Sequence, residues 1–315
     1  MRIPTIEAIA RWPKPNYVDP ETRAPIGIAT GSTLFVFITF ILAIRLYSRK
    51  RLTGGFGLDD TLICLAYVPT AAFAITGLAT EDLIQWDRHI WDVEPKFFNS
   101  QLATTLSLAI LFDLATSLTK LSMLALVRRL TAASNNRIEK IAVLAVTVLI
   151  GINCFIFIVV KLFQCTPMSA SWTIFAEPSQ CINEKIHMMS ANIINTITDF
   201  VVVLLPIRTV MTLQLPPRQH IIVMSLFGVG LVASFVGIAR TYFTWLLYTA
   251  ADYDTTWNAW SVWLSSLIEL HLGIICASIP ATKPFFLTHL PNMINATQRR
   301  QKSLLMSATQ ATGDE

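Results

Sequence analysis

Asp113, Lys120, Asp199, Arg240 and Glu269 stand inside long apolar runs, where each charge costs at least about 2.5 kcal/mol on an insertion scale and so needs a partner or a task. Asp113 and Lys120 are seven residues apart, close to one helical face, with Thr116 on the same side. Asp199 follows Asn192 and Asn195, and Glu269 precedes His271. A carboxylate placed this way can handle a proton on a lipophilic substrate, which makes Asp199 and Glu269 the candidate catalytic residues. The bland alternative is that these charges neutralise one another and fix helix packing. Depth along the chain sets the pairings: Arg240 in the outer half of the sixth run with Glu269 near the middle of the seventh. Lys120 is within reach of Asp199, or of Asp60 at the start of the second run.

Asp59 and Asp60 follow Gly54-Gly55-Phe56-Gly57. Acidic residues at a helix start accept unsatisfied N–H bonds and complement the helix dipole. Asp59 is therefore expected as the cap and Asp60 as the inward-facing member of the cavity or ion-pair set with Asp113, Lys120, Asp199, Arg240 and Glu269. Cys165 and Cys181 form the disulfide candidate, closing a loop worth about 3 kcal/mol by chain-entropy arithmetic. Cys64, Cys154 and Cys276 fall within apolar runs and read as small buried residues. No CxxC or paired Cys/His spacing points to zinc, so no metal is expected. No phosphate loop and no HExxH occur. A retinal Schiff base needs a lysine within the last run, which has none before Lys283, so no cofactor is expected, retinal included. The end of the third run reads Leu126-Val127-Arg128-Arg129 rather than Asp-Arg-Tyr, and the seventh has Ile279-Pro280 without Asn-Pro-xx-Tyr.

These groups need long apolar helices to hold them, and the composition supplies those. Of 315 residues, 53% are hydrophobic and only 14% charged, with a mean hydropathy of +0.55. Soluble domains carry about 25% charge, so a multi-pass membrane protein is the expected class. A bilayer core takes about 20 apolar residues as helix, and seven runs meet that length, near 26–46, 59–80, 101–127, 140–162, 187–212, 221–248 and 260–280. The expected fold is all-α, a seven-transmembrane-helix bundle over 26–287, with an extracytoplasmic tail at 1–25 and a cytosolic tail at 288–315. The first 25 residues hold Pro4, Pro13, Pro15, Pro20 and Pro25 and no signal-peptide core, so the first run is read as an uncleaved anchor.

Lys and Arg in the short loops set the orientation. Fourteen fall on one side, including Arg45, Arg49, Lys50 and Arg51 after the first run and Arg128, Arg129, Arg137 and Lys140 after the third. Arg208, Arg218, Lys283, Arg299, Arg300 and Lys302 complete that side, against seven on the other. This predicts the N-terminus outside and the C-terminus in the cytosol. All eight tryptophans fall on the outer side, as an interfacial belt or, alternatively, a ligand vestibule. An acidic loop (Glu81, Asp82, Asp87, Asp92, Glu94) shares that side, while the Asn295-Ala296-Thr297 sequon falls on the cytosolic side and is expected to stay unmodified. Small-residue faces at Gly27/Gly31 and at Gly230/Ser234 and Ala233/Gly237 predict close intramolecular contacts. Pro69, Pro206 and Pro280 are expected to interrupt helices and open a cavity. The net charge of +4 is spread in short clusters, so nucleic acid is not expected as a partner. The expected partners are the lipid bilayer and a small lipophilic metabolite; a cytosolic partner is unassigned, and plasma membrane and endomembrane are not distinguished.

An ordered set of motifs runs through these spans: Gly57-Leu-Asp-Asp60, Thr119-Lys120-Leu-Ser122 followed by Arg128-Arg129-Leu130, and Phe163-Gln-Cys165-Thr-Pro167 with Trp172 and Cys181. It continues with Asn195-x-x-x-Asp199, Leu205-Pro206-Ile207, Leu215-Pro216-x-Arg218, Gly230 with Arg240, and Glu269 with Ile274-Ile275-Cys276-Ala277-Ser278-Ile279-Pro280. In this order, over roughly residues 26 to 290, the chain resembles the fungal rhodopsin-like-domain family of integral membrane proteins, of the satratoxin-cluster type. The resemblance implies seven helices, a fungal membrane and an association with secondary-metabolite biosynthesis, as a membrane-embedded enzyme or accessory factor. A receptor-like sensor of a small molecule is the alternative, and export or transfer of a metabolite the third. Some receptor-like relatives bear a cysteine-rich outer domain; its absence here, with a tail of about 30 residues, counts against a stand-alone signalling receptor.

Overall fold

Backbone amides in hydrocarbon must find partners within their own segment, so each apolar run closes as a helix. The computed structural model describes residues 6–131, 137–173, 180–212 and 217–311. After a short α1 (Ile6–Ala10) come α2 (Ala24–Tyr47), α3 (Leu58–Ile84), α4 (Phe98–Thr131), α5 (Arg137–Leu162), α6 (Glu184–Thr212), α7 (Pro217–Thr249) and α8 (Thr255–Ala311). Seven of these are long and apolar enough to cross a membrane. Lipid-facing side chains such as Val36, Phe40, Val68 and Phe155 stay exposed on the bundle's outside.

Helix ends differ from the sequence expectation where local hydrogen bonding decides them. A π-helical turn, Ser48–Thr53, prolongs α2 until Gly54, whose φ of 62° stops it in the left-handed region that glycine enters without strain. The helical backbone runs through Pro69, Pro206 and Pro280, so the expected interruptions do not occur. Neighbouring helices and side chains can re-satisfy the carbonyls that a proline leaves free. The segment read as a C-terminal tail from 288 continues α8 as far as Ala311. Arg2, the Leu215-Pro216 pair and the side chains of Arg208, Arg218, Lys283, Arg299, Arg300, Lys302 and Asn295–Thr297 lie outside the described residues, as does the Asp82 side chain.

In the bundle α3 lies along α4 and α7 along α8, while α8 also touches α2, α3 and α4. Close approach is bought at glycines: Gly77 takes the Trp263 indole directly against its Cα, Gly31 faces Leu78, and Gly230 faces Val203 and Cys276. Phe73, Trp86, Leu108, Trp260, Trp263 and Leu267 form the core at the end of the bundle where α2 begins, here the N-terminal end. Ile38, Leu42, Ile63, Ala66, Ile274 and Ala277 pack further along, towards the opposite end. Between α5 and α6, β1 (Cys165–Thr166) pairs antiparallel with β2 (Gln180–Cys181), setting Cys165 opposite Cys181.

Candidate functional site

Arg240 on α7, Glu269 on α8, Asn192 and Asn195 on α6 and Lys120 on α4 meet in mid-bundle, where each helix turns its polar residues away from lipid. Arg240 Nε donates to Glu269 Oε2 at 2.8 Å and its Nη2 reaches Oε1 at 3.4 Å. Its Nη1 donates to Asn192 Oδ1, and its guanidinium lies 4.5 Å from the Phe112 ring centroid. Glu269 Oε1 also accepts from Asn195 Nδ2 at 2.8 Å, and the same amide reaches Asp199 Oδ2 at 3.1 Å. Lys120 Nζ lies 3.1 Å from Asp199 Oδ1 and donates to Asn195 Oδ1 and Thr198 Oγ1, both at 2.8 Å. The structure thus brings Lys120 to Asp199 and Arg240 to Glu269 in one connected network. Asp60 is not part of it.

Over this network lies a cavity of about 810 Å³, counted with its open mouth, between α3, α4, α5, α6, α7 and α8. Phe73, Trp86, Leu108, Phe112, Trp263 and Leu247 make its apolar walls. Arg240, Asn192 and Asn195 belong both to the wall and to the network, whereas Glu269, Asp199 and Lys120 sit behind them, off the wall. Asp113 lines the cavity, is 7% exposed, and carries an Oδ2 without a hydrogen-bond partner, with the Cys154 thiol beside its carboxyl. The lining, a few polar groups set in an apolar and aromatic wall, is that of a small-molecule pocket.

Asp60 belongs to a second cluster at the opposite end of the bundle. Arg45, fully buried, reaches Asp59 Oδ2 at 3.0 Å, Asp60 Oδ1 at 2.9 Å and the Ala277 carbonyl of α8 at 2.5 Å. Arg49 contacts the same two carboxylates at 2.9 and 3.3 Å, and Ser122 of α4 donates to the Asp59 carbonyl at 2.7 Å. Asp60 is inward-facing as expected, and it also takes the capping role expected of Asp59. Its Oδ1 accepts from Arg45 Nε at 3.0 Å while its Oδ2 accepts the Gly57 amide at 3.1 Å and caps α3; Asp59 serves the arginines instead. A carboxylate at the third helical position reaches back to the cap residue more easily than one at the second.

At the N-terminal end the loops are tied across the bundle. The His89 ring stacks between Trp91 and Trp257, centroids 4.7 and 3.9 Å away, and its Nδ1 lies 2.5 Å from Asp254 Oδ2. Burial pushes the Asp254 carboxyl above the usual aspartate range, while its bonds to His89 and the Ile90 amide pull the other way. The tail before α2 docks here too: Trp12 Nε1 donates to the Asp252 carbonyl at 2.8 Å, and Arg23 lies 3.5 Å over the Trp257 ring. Trp86, Trp260 and Trp263 are buried and Trp245 is exposed, and Trp86 and Trp263 wall the cavity. Cys165 and Cys181 are joined by a disulfide.

Sequence reasoning passed over Lys161 and Glu184, whose 2.7 Å ion pair lies on the cavity wall with Lys161 buried. The signal was a lysine just inside the end of an apolar run facing a glutamate that opens the next. His89 and Asp254 carried no such signal, because only the fold brings the α3–α4 and α7–α8 loops together.

The model of the fungal rhodopsin domain matches residues 44–288. The wortmanamides biosynthesis cluster protein C of Talaromyces wortmannii is 26% identical over 277 residues, covering 80% of this chain and 69% of the relative. Receptor GIN3 of Arthrobotrys oligospora is 23% identical, covering 86% of this chain and 64% of its own length. The satratoxin biosynthesis SC1 cluster protein 4 of Stachybotrys chartarum is 22% identical over 63% of this chain and 73% of its own. No solved structure matches.

Proposed function

The chain belongs to the fungal rhodopsin domain family, and from that premise we propose that it serves secondary-metabolite biosynthesis as a multi-pass membrane protein holding a lipophilic intermediate or product in the cavity over Arg240. The observation that carries this reading is the aromatic-walled cavity floored by Arg240, Asn192 and Asn195. Two of the relatives are named for biosynthesis clusters. Asp199 and Glu269, the candidate acids, act here as partners that keep Lys120 and Arg240 neutralised. The role is therefore that of an accessory factor that binds, rather than an enzyme whose chemistry rests on these two carboxylates.

The proposed orientation places the N-terminus, the disulfide loop and the cavity mouth outside, or in the lumen, and the Arg45–Asp59–Asp60 cluster at the cytosolic end. Basic loops on the latter side and a disulfide on the former support it. Residues 1–25 then form the outer tail, 26–287 the membrane domain and 288–315 a cytosolic segment. A second reading is a sensor of the same molecule. It is favoured by the hydrogen-bond network that joins the cavity wall to four helices, and by the relative named as a receptor. Deletion of the gene in its host, with metabolite profiling by mass spectrometry and transcript levels of neighbouring genes, separates the two. One accumulating intermediate with normal transcripts is the expected result; loss of the transcripts without a stalled intermediate would transfer the function to sensing.

A further inference from the structure

The cavity wall carries two cations and two carboxylates: Arg240, Lys161, Glu184 and Asp113. Three of these four are matched. Arg240 is bonded to Glu269 behind the wall at 2.8 Å, and Lys161 to Glu184 at 2.7 Å. Lys120, near enough to act on Asp113 through space, is itself 3.1 Å from Asp199. Among the described residues Asp113 Oδ2 has no partner, although its side chain is only 7% exposed. A buried carboxylate oxygen is tolerated when something supplies a donor to it, and the neighbouring Cys154 thiol is a weak one. The same cavity wall carries aromatic side chains, Phe73, Phe112 and Trp263 among them. Aromatic faces favour a cation beside them as well as an apolar body.

We propose that Asp113 is the anchoring residue of this cavity and that the ligand is an amphipathic amine, with its ammonium on the Asp113 carboxylate and its hydrophobic body against the aromatic wall. This deepens the preceding reading and rests on it for the cavity's use. The ligand's charge follows from what the wall leaves unmatched: an anionic ligand would meet cations already committed to Glu269 and Glu184, and would face Asp113 as a like charge. A neutral ligand with a hydroxyl satisfies Asp113 more weakly than an ammonium does.

The test uses the full chain in lipid nanodiscs and three probes of one shape: 4-phenylbutylamine, 4-phenylbutan-1-ol and 4-phenylbutanoate. Thermal unfolding is recorded against the concentration of each, so that the alcohol controls for partition into lipid. The amine is expected to stabilise with a midpoint about tenfold below that of the alcohol, the difference between a charged and a neutral hydrogen bond, and the carboxylate not at all. Asp113→Asn is expected to erase the preference for the amine, and Asp113→Glu to keep much of it. Ala109→Phe narrows the cavity while keeping the carboxylate, and is expected to weaken amine and alcohol alike, which keeps the test decisive if Asp113→Asn does not fold. Equal midpoints for amine and alcohol, both lost in Ala109→Phe, would overturn the amine assignment and leave the cavity reading standing. No stabilisation by any probe, with Ala109→Phe indistinguishable from the parent, would overturn both.

Discussion

Replacing Glu269 with glutamine changes one oxygen into an NH2 group and removes one charge at a point where two donors converge. Glu269 accepts from Arg240 Nε at 2.8 Å on one oxygen and from Asn195 Nδ2 at 2.8 Å on the other. Glutamine has a single carbonyl oxygen, so whichever way the amide turns, its NH2 faces a donor. Arg240 is left 2% exposed with Asn192 and Phe112 as its neighbours and, among the described residues, no other carboxylate at ion-pair distance. Breaking a buried pair from one side costs about 3–5 kcal/mol. At roughly 2–4 °C per kcal/mol for large domains, the midpoint should fall by about 6–20 °C, with the lower part of that range favoured by the length of this chain. The assay is thermal unfolding in nanodiscs, read by the reaction of buried Cys276 with a thiol dye. Arg240→Gln should cost a similar amount. The double variant should be milder than the sum of the two by about 0.5–3 kcal/mol, because neither charge is then stranded. A Glu269→Gln midpoint within about 0.5 kcal/mol of the parent, the range of an ordinary surface substitution, would refute the pairing, as would strict additivity.

Two further outcomes are expected. Asp254 has its folded pKa raised by burial from the ordinary value of 3.8, so its contribution to stability is fully present below that value and is lost as pH rises through the raised one. Protection of the 89–93 amides, corrected for intrinsic exchange, should therefore fall from pH 4 towards neutrality in the parent and change less in Asp254→Asn; an identical slope in both would refute the assignment to Asp254. Replacing Cys165 and Cys181 together with serine opens a loop of 16 residues' separation, worth about 3 kcal/mol. The loss should appear as earlier melting and as the disappearance of any effect of reductant, whereas an unchanged midpoint would show that the loop is held by its other contacts.

Much of this architecture is legible in the sequence because hydrocarbon leaves the backbone few choices. Seven apolar runs become seven helices, and residues that are costly in lipid turn inward to meet one another, which is why Arg240 with Glu269 follows from depth, whereas for Lys120 depth leaves Asp199 and Asp60 both open and only the fold selects Asp199. Composition does not specify rotation about each helix axis. Asp113 and Glu269 look alike in the sequence, yet one lies on the cavity wall and the other behind it. Arg45 was counted as a loop charge, but a further turn and a half of helix encloses it, and two carboxylates and a carbonyl from α8 complete its surroundings. The tryptophans show the same limit, since interfacial depth is common to a belt residue and to one that folds inward. Those that fold inward do so because Gly77 and the Glu81 carboxylate of α3 make room and a hydrogen bond for Trp263 and Trp260.

The tail in front of α2 is fastened to parts of the chain made much later. Trp12 bonds to Asp252, 240 residues on, and Arg23 to Ser261, 238 residues on. Asp87 and Trp257, which hold Thr22 and Arg23, are next but one or adjacent to the cavity-wall residues Ala259 and Trp86. During synthesis this segment thus waits for α8 before it can dock. Until then the polar floor and the aromatic walls have no tail fastened beside them, and the seating of this segment marks a chain whose helices α2 to α8 are in place.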